Sequence, residues 1–484
     1  MPPNDEKFLS YLEWDLFNKP VTATVEEHEE LPKGQKIITI TRNEDYHLKA
    51  LLQFEDDNFI FSEGKRSTVP GTTIQRFTII GSNEEGCKYS LESSYVGNVN
   101  SSSGTSEKKL ANTAEIGFHG VKMENSDKRQ VEYLIEWCLN GPRDFVFSRV
   151  TQRNIKKTYN KDYLESKDSK FDSLQISLES SSFGVKNLII KTNEVQFVIE
   201  KVPEDFGPTW SSNIAIKYKN SWGKIPDVTA REKILEICSF IFGRQLLPIG
   251  YSKYDASGHI VEAYARDPWG KCVKSNCLEP DNSPINIRLP NHGRAEGIIG
   301  QLLPNYLNLS DSLCLKEALS YYWLSQEIPL GANLPILAAG LESIITGWFR
   351  CNKSKSKGLF LDKVTFSNLL KAEFETIDNK LKGIPNGDKI AKRIRSSVEF
   401  GMTARYSVFF EELQLPISEG EWAAIKERSV FVHGEAIFDR VNWTETRERA
   451  RTFEALFNKV FLRILGYSGT LIDRSIIGWP DVQL

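Results

Sequence analysis

The sequence has no apolar run long enough to cross a bilayer. Its most apolar stretch, 334–349, is interrupted by Pro335, Gly340, Glu342 and Gly347. Its first residues, Met1-Pro2-Pro3-Asn4-Asp5-Glu6-Lys7, are polar and acidic, without the basic start and apolar core of a secretion signal. Together these absences predict a cytoplasmic chain with no membrane partner. Cysteine is sparse: seven residues, odd in number and scattered, which argues against a disulfide framework and fits a reducing compartment. An excess of one charge is missing too. With 61 Lys and Arg against 64 Asp and Glu, the net charge is −3, so no general basic coat exists and any nucleic-acid contact must be a local patch. There is no P-loop, dinucleotide glycine pattern or G-x-S-x-G, and no repeat at solenoid period. Cys272-x4-Cys277, with His259 and His292 at unpatterned distances, reads as loop or core, so neither a metal nor a cofactor is expected.

What is present is long enough for two or three domains, since 484 residues exceed one ordinary core. A hydrophobic content of 40% with 26% charged residues is that of a globular chain. From residue 36 onward, β-branched and aromatic residues recur in short runs between Gly, Asn, Asp and Pro. Strands are predicted at 37–41, 47–52, 58–61, 74–80, 87–91, 115–121, 131–137, 143–150, 174–178, 186–190, 194–200 and 213–218. A loop is predicted at 97–109 and a charged insertion at 154–170. A helix is predicted over 230–242, with Thr229 and Glu232 as its capping box and Gly243 at its end. After a connecting loop at 303–311 the pattern turns helical: 312–328, 334–350, 366–382, 388–413 with a break near Gly401, a helix capped by Ser418, and 444–465. The expected fold is therefore α+β and multidomain. A β-rich region resembling a sandwich or barrel fills 1–308, and an all-α bundle fills 309–484.

Chemistry concentrates near the end of the chain, in Lys426-Glu427-Arg428-Ser429-Val430-Phe431-Val432-His433-Gly434-Glu435. An imidazole moves a proton to or from a ribose hydroxyl near neutral pH. A guanidinium is always charged, and its fork fits two phosphate oxygens. With a 2′-hydroxyl from the substrate, those two groups suffice to cut RNA without a metal. The spacing by itself is common: six histidines, each with several upstream positions for an arginine, give about one chance match in such a chain. The plain alternative is an exposed helix arginine followed by a helix-ending histidine. Gly434 predicts that the helix stops there, which places His433 where the helix dipole favours imidazolium. Five residues turn through about 140° beyond a full circle on an unbroken helix. Arg428 and His433 meet only where the helix ends, or where a second copy of the chain completes the site.

Glu342 lies inside an apolar helix with Ala338, Leu341, Ile344 and Ile345, so its carboxylate needs a partner. It either pairs with Arg428, orients His433, or faces outward. Lys389, Lys392, Arg393 and Arg395 make a basic helix segment that would track RNA phosphates, helped by Lys353, Lys355 and Lys357; a solvated face is the alternative. Lys426 and Arg440 flank the motif and would help hold RNA.

The helical C-terminal half, with Arg428, His433 and Gly434 matching a late arginine-x4-histidine, resembles the HEPN superfamily over residues 312–466. Ser429 stands where many members carry a polar residue such as asparagine. Glu342 is similar to an acidic position in those bundles. The whole layout resembles the ApeA type of antiphage abortive-infection proteins, which join a β-rich N-terminal domain to a C-terminal HEPN domain. The resemblance implies an endoribonuclease that acts on RNA, tRNA among the candidates, as a homodimer or higher homo-oligomer. It also implies catalytic roles for Arg428, His433 and Glu342, and restraint or a phage-derived trigger acting through the β-rich half. The competing expectation is a non-catalytic ligand-binding protein whose helical half is a dimerisation scaffold.

Overall fold

The computed structural model describes residues 17, 20–55, 76–100, 112–127, 129–143, 146–147, 149–158, 161–166, 182–202, 210–269, 282–287, 294–352, 361–432 and 443–484. Within them the chain is α+β, with a β-rich N-terminal region and a helical C-terminal region. It divides into two compact units. The first holds 1–231, 242–282 and 287–300; the second holds 232–241, 283–286 and 301–484.

In the first unit, strands β1 (Val21–Val25), β2 (Lys36–Arg42), β3 (Leu48–Phe54), β4 (Phe77–Ser82), β5 (Lys88–Asn100) and β6 (Asn112–Gly117) close into a six-stranded barrel, in the order β5-β4-β1-β2-β3-β6 and back to β5. Alternation explains the inside. Ile38 and Ile40 of β2, and Ala50, Leu52 and Phe54 of β3, are buried, while Ile37, Lys49, Leu51 and Gln53 between them face out. Fully burying a side chain such as Leu52 contributes about 1.5–3 kcal/mol. Strand β5 makes the closure possible by its length. Lys88–Glu92 pairs with β7 (Gly120–Glu124), whereas Tyr95–Asn100 pairs with β6, with a register shift between Val96 and Val99. At that seam the Tyr95 ring lies across Gly117, where a Cβ would sit only 2.2 Å from it. Only glycine leaves the ring that place.

From β7 the sheet continues through β8 (Tyr133–Leu139), β9 (Arg149–Thr158), β10 (Lys161–Ser166), β11 (Ser182–Lys191), β12 (Gln196–Lys201), β13 (Ile214–Lys219), β14 (Leu247–Tyr254) and β15 (Ile260–Arg266). Its order is β7-β15-β14-β8-β13-β12-β11-β9-β10, and every pairing is antiparallel. Several expectations need correcting. The loop predicted at 97–109 begins as strand, because β5 runs to Asn100. The single strand predicted at 115–121 is two, broken at Phe118 and His119. The charged insertion predicted at 154–170 contains β10 and the second half of β9, whose hairpin pairs Lys161 with Thr158. The strand predicted at 143–150 starts only at Arg149. The strands predicted at 58–61 and 174–178 lie outside the described residues.

The helices are α1 (Val228–Phe242), α2 (Arg294–Leu309), α3 (Leu315–Gln326), α4 (Leu334–Cys351), α5 (Lys363–Leu369), α6 (Lys371–Leu381), α7 (Gly387–Arg395), α8 (Met402–Glu412), α9 (Glu419–Val432) and α10 (Trp443–Ile464). The first begins earlier than predicted, and Asp227 rather than Thr229 caps it, accepting from the Ala230 N–H at 2.8 Å. The connecting loop predicted at 303–311 is helix as far as Leu309. An internal proline ordinarily costs about 3 kcal/mol, but Leu302, Leu303 and Tyr306 are buried on either side of Pro304. One line between 308 and 309 also omits the centre of α1 from the helical unit. There the Phe240 ring lies 4.4 Å from that of Phe461, and Tyr306 donates to Glu236 at 2.7 Å. Nor is this unit all-α: β16 (Thr470–Ile472) and β17 (Asp481–Gln483) form a small hairpin after α10.

Helix α4 runs through the core of this unit, with Leu334, Leu337, Ala338, Leu341, Ile344 and Ile345 buried. Its two internal glycines mark close approaches. A Cβ on Gly340 would stand 3.1 Å from the Ala318 carbonyl and 3.2 Å from the Phe457 ring, and one on Gly347 would stand 2.8 Å from the Leu313 backbone.

Candidate active site

Three helices bring a carboxylate, a phenol ring and a guanidinium together. Glu342 is on α4, Tyr406 on α8 and Arg428 on α9. The Arg428 Nε donates to Glu342 Oε1 at 2.7 Å, and one terminal nitrogen donates to the Ile425 carbonyl on its own helix. The guanidinium carbon lies over the Tyr406 ring, 5.0 Å from its centre. The Arg428 side chain is 12% exposed and that of Glu342 is 30% exposed, so the pair is partly withdrawn from water yet reachable. A charge-assisted hydrogen bond in that setting contributes about 1.5–3 kcal/mol. The sequence logic is direct. The acid at 342 sits half-buried beside the buried Leu341, Ile344 and Ile345, and Arg428 is the cation that α9 delivers to it.

Tyr406 is the residue that sequence reasoning missed. It is fully buried, in step with Phe409 and Phe410 along α8, and so resembles a core residue in the sequence. Its hydroxyl has no hydrogen-bond partner among the described residues. Burial, reinforced by the Glu342 charge, pushes the phenol well above its ordinary range, against the opposing pull of Arg428. The available signal was the polar tip itself, since a tyrosine on a buried stripe needs somewhere to put its hydroxyl.

Helix α9 is held at both ends of its described span. At its start, the Glu421 N–H donates to Ser418 Oγ at 3.2 Å, and the Ser418 N–H donates to Glu421 Oε2 at 2.7 Å: the reciprocal capping box of Ser418 and Glu421. The ammonium of Lys459 on α10 reaches Glu421 at 3.3 Å. Beside Arg428, Glu427 points the other way and pairs with Arg449 of α10 at 3.3 Å. Burial raises the Glu427 carboxyl, with Arg449 opposing. Neighbouring residues on one helix therefore anchor it to α4 and to α10.

His433 lies outside the described residues, immediately after Val432, the last described residue of α9. So do Gly434, Arg440, Lys353, Lys355, Lys357, Cys272, Cys277 and His292. The remaining histidine of the imagined metal set, His259, faces Asp255 at 3.5 Å, and Asp255 also holds Arg129 at 2.9 Å. Lys426 is exposed on α9. Lys389, Lys392 and Arg393 are exposed on α7, whereas Arg395 pairs with Asp378 of α6 and lies 5.2 Å from the centre of the Phe374 ring. No hydrogen bond or ion pair among the described residues joins these α7 side chains to Arg428 or Glu342. No described helix is long and apolar enough to cross a membrane.

An oriented guanidinium beside a carboxylate, on the last described turn of a helix, can hold an anion through its remaining N–H groups. No family model, curated protein or solved structure matches this chain.

Proposed function

We propose that the chain is a metal-independent endoribonuclease of the HEPN type, built as an abortive-infection effector. The observation that supports this reading is the orientation of Arg428 by Glu342 and Tyr406, less than two helical turns before His433. In the mechanism, His433 takes the proton of a ribose 2′-hydroxyl. The 2′-oxygen attacks phosphorus, the bond to the 5′-oxygen breaks, and that oxygen receives a proton from imidazolium or water. Arg428 stabilises the extra negative charge on the phosphate at the transition state. Glu342 does not touch the substrate in this scheme; it fixes the guanidinium. The product carries a 2′,3′-cyclic phosphate. Exposed Lys389, Lys392, Arg393 and Lys426 draw in RNA, tRNA among the candidates, and two copies of the chain align two such sites in one cleft. The β-rich half restrains the nuclease and receives the phage-derived trigger.

The test compares wild type, Arg428→Ala and His433→Ala on purified tRNA and total RNA in a chelator, each variant checked by thermal melting. Wild type is expected to leave cyclic-phosphate ends, and both variants to fall about 100- to 1,000-fold. Equal cleavage by a folded His433→Ala would end the nuclease reading. One observation favours a second reading: two of the three Arg428 nitrogens already bond inside the protein. On that reading the pair is a structural clasp in a dimerisation scaffold, and the β-rich half binds a ligand without catalysis. Unchanged RNA with intact phage protection in both variants would favour it.

A further inference from the structure

Cys314 and Cys351 stand apart from the other described cysteines, since Cys87, Cys138 and Cys238 are buried whereas Cys314 is half-exposed and Cys351 exposed. Both lie where the end of α4 rides on the turn before α3. Gly347 permits that approach, because any Cβ there would collide with the Leu313 backbone. One turn later Cys351 Sγ donates to the Ser312 carbonyl at 3.4 Å. From the other side, a terminal nitrogen of Arg350 donates to Cys314 Sγ at 3.9 Å. Each sulfur thus touches the segment that carries the other.

Cys314 is also conformationally marked. It caps the start of α3 with a φ of 55°, in the left-handed region that glycine, asparagine and aspartate ordinarily occupy. The turn fixes it there through the Leu315 N–H to Ser310 and the Ala318 N–H to the Cys314 carbonyl. Reactive thiols are partly exposed ones beside a cation or a helix N-terminus, and Cys314 has both neighbours. A residue kept in a costly backbone conformation at such a place points to use.

We propose that Cys314 and Cys351 form a peroxide-responsive thiol pair, a modification site that closes into a disulfide between the start of α3 and the end of α4. The oxidant is a hydroperoxide. Its terminal oxygen passes to the Cys314 sulfur, the O–O bond breaks, and an alcohol or water leaves. The Cys351 sulfur then attacks the resulting sulfenic acid; the S–S bond forms, the S–O bond breaks, and water departs. Two thiols lose two electrons and the peroxide gains them. The bond would tie down the C-terminal end of the helix that carries Glu342. This inference stands independently of the nuclease reading.

The test treats the full-length protein with hydrogen peroxide, blocks remaining thiols with an alkylating reagent, and maps unreduced peptides by mass spectrometry. A cross-linked pair containing Cys314 and Cys351 is expected, reversed by dithiothreitol and absent from Cys314→Ser and from Cys351→Ser. Serine keeps the size at both positions, and folding is checked by melting. Recovery of both cysteines alkylated, overoxidised separately or bonded to other cysteines would overturn the proposal.

Discussion

Arg42 in the sheet unit and Arg428 in the helical unit are both withdrawn from water, and they differ in what they hold. Arg42 leaves the end of β2 and donates to three backbone carbonyls, Tyr46 at 2.8 Å, Arg266 at 3.1 Å and Ile249 at 3.0 Å, and its guanidinium carbon lies 5.5 Å from the centre of the Tyr46 ring. It bolts the barrel to β14 and β15, and it satisfies acceptors that the bend at Tyr46, itself at a φ of 68°, leaves open. Arg428 also lies over a ring and reaches one carbonyl, that of Ile425, but its Nε faces the Glu342 carboxylate. Three carbonyls from three segments make Arg42 a structural tie. A single carboxylate orients Arg428 while leaving part of its fork for an anion.

The sharpest way to break that comparison is to change each guanidinium. Arg428→Lys keeps the charge but loses the planar fork, so RNA cleavage is expected to drop about 100-fold or more, with little change in melting temperature. Arg42→Met strands three carbonyls and is expected to cost on the order of 3 kcal/mol, read by chemical denaturation, with unchanged cleavage per folded molecule. Full activity in Arg428→Lys would make Arg428 a bolt like Arg42.

Tyr406 sharpens the contrast at a smaller scale. Tyr406→Phe removes a buried hydroxyl without a partner among the described residues and keeps the ring beneath Arg428. Stability is expected to rise by up to about 1 kcal/mol. Tyr406→Leu removes the ring and is expected to lose about 2–4 kcal/mol through cavity formation and the missing cation–π contact. A shift in the denaturation midpoint measures both. Destabilisation by Tyr406→Phe would show that the hydroxyl has a partner in solution.

Much of this architecture was legible in advance because the relevant signals are local. β-branched runs at 37–41 and 194–200 foretold strands, although the second is buried on both faces rather than on one, and Ser418 with Glu421 foretold the start of α9. Glu342 was legible as a carboxylate in need of a partner. Barrel closure was not, because it depends on where β5 changes partners and on Tyr95 meeting Gly117 across strands. The β9–β10 hairpin was hidden by charge: a strand without an apolar stripe leaves no period to read. Pro304 pointed away from helix, and burial of its neighbours overrode it. Tyr406 was missed because its role is set by a residue 22 positions later in sequence, on a different helix.

Acid separates the two units least, but in opposite directions. In the sheet unit burial tends to raise Asp255 and Glu262. For Asp255 this is outweighed by Arg129 and the backbone N–H groups of His259 and Ser257, and for Glu262 by Lys253, Tyr251 and Lys122. Both end below their ordinary values. Their stabilisation is present above the unfolded carboxylate range and is lost as pH falls through the folded values. In the helical unit burial is the largest influence on Glu236, Glu427 and Glu454, and all three end above the ordinary value. A raised acid binds its proton more tightly when folded, so its contribution is full below the unfolded range and is lost as pH rises through the folded value. Amide hydrogen exchange on the intact chain, corrected for intrinsic rates and followed from neutral pH to about pH 4, should show protection falling around β14 and β15. Protection should hold or rise along α9 and α10, with changes on the order of 1 kcal/mol or less. Parallel losses in both regions would mean that the helical acids find cation partners as good as those of the sheet, and the contrast between bolted and poised charge would then rest on the two arginines alone.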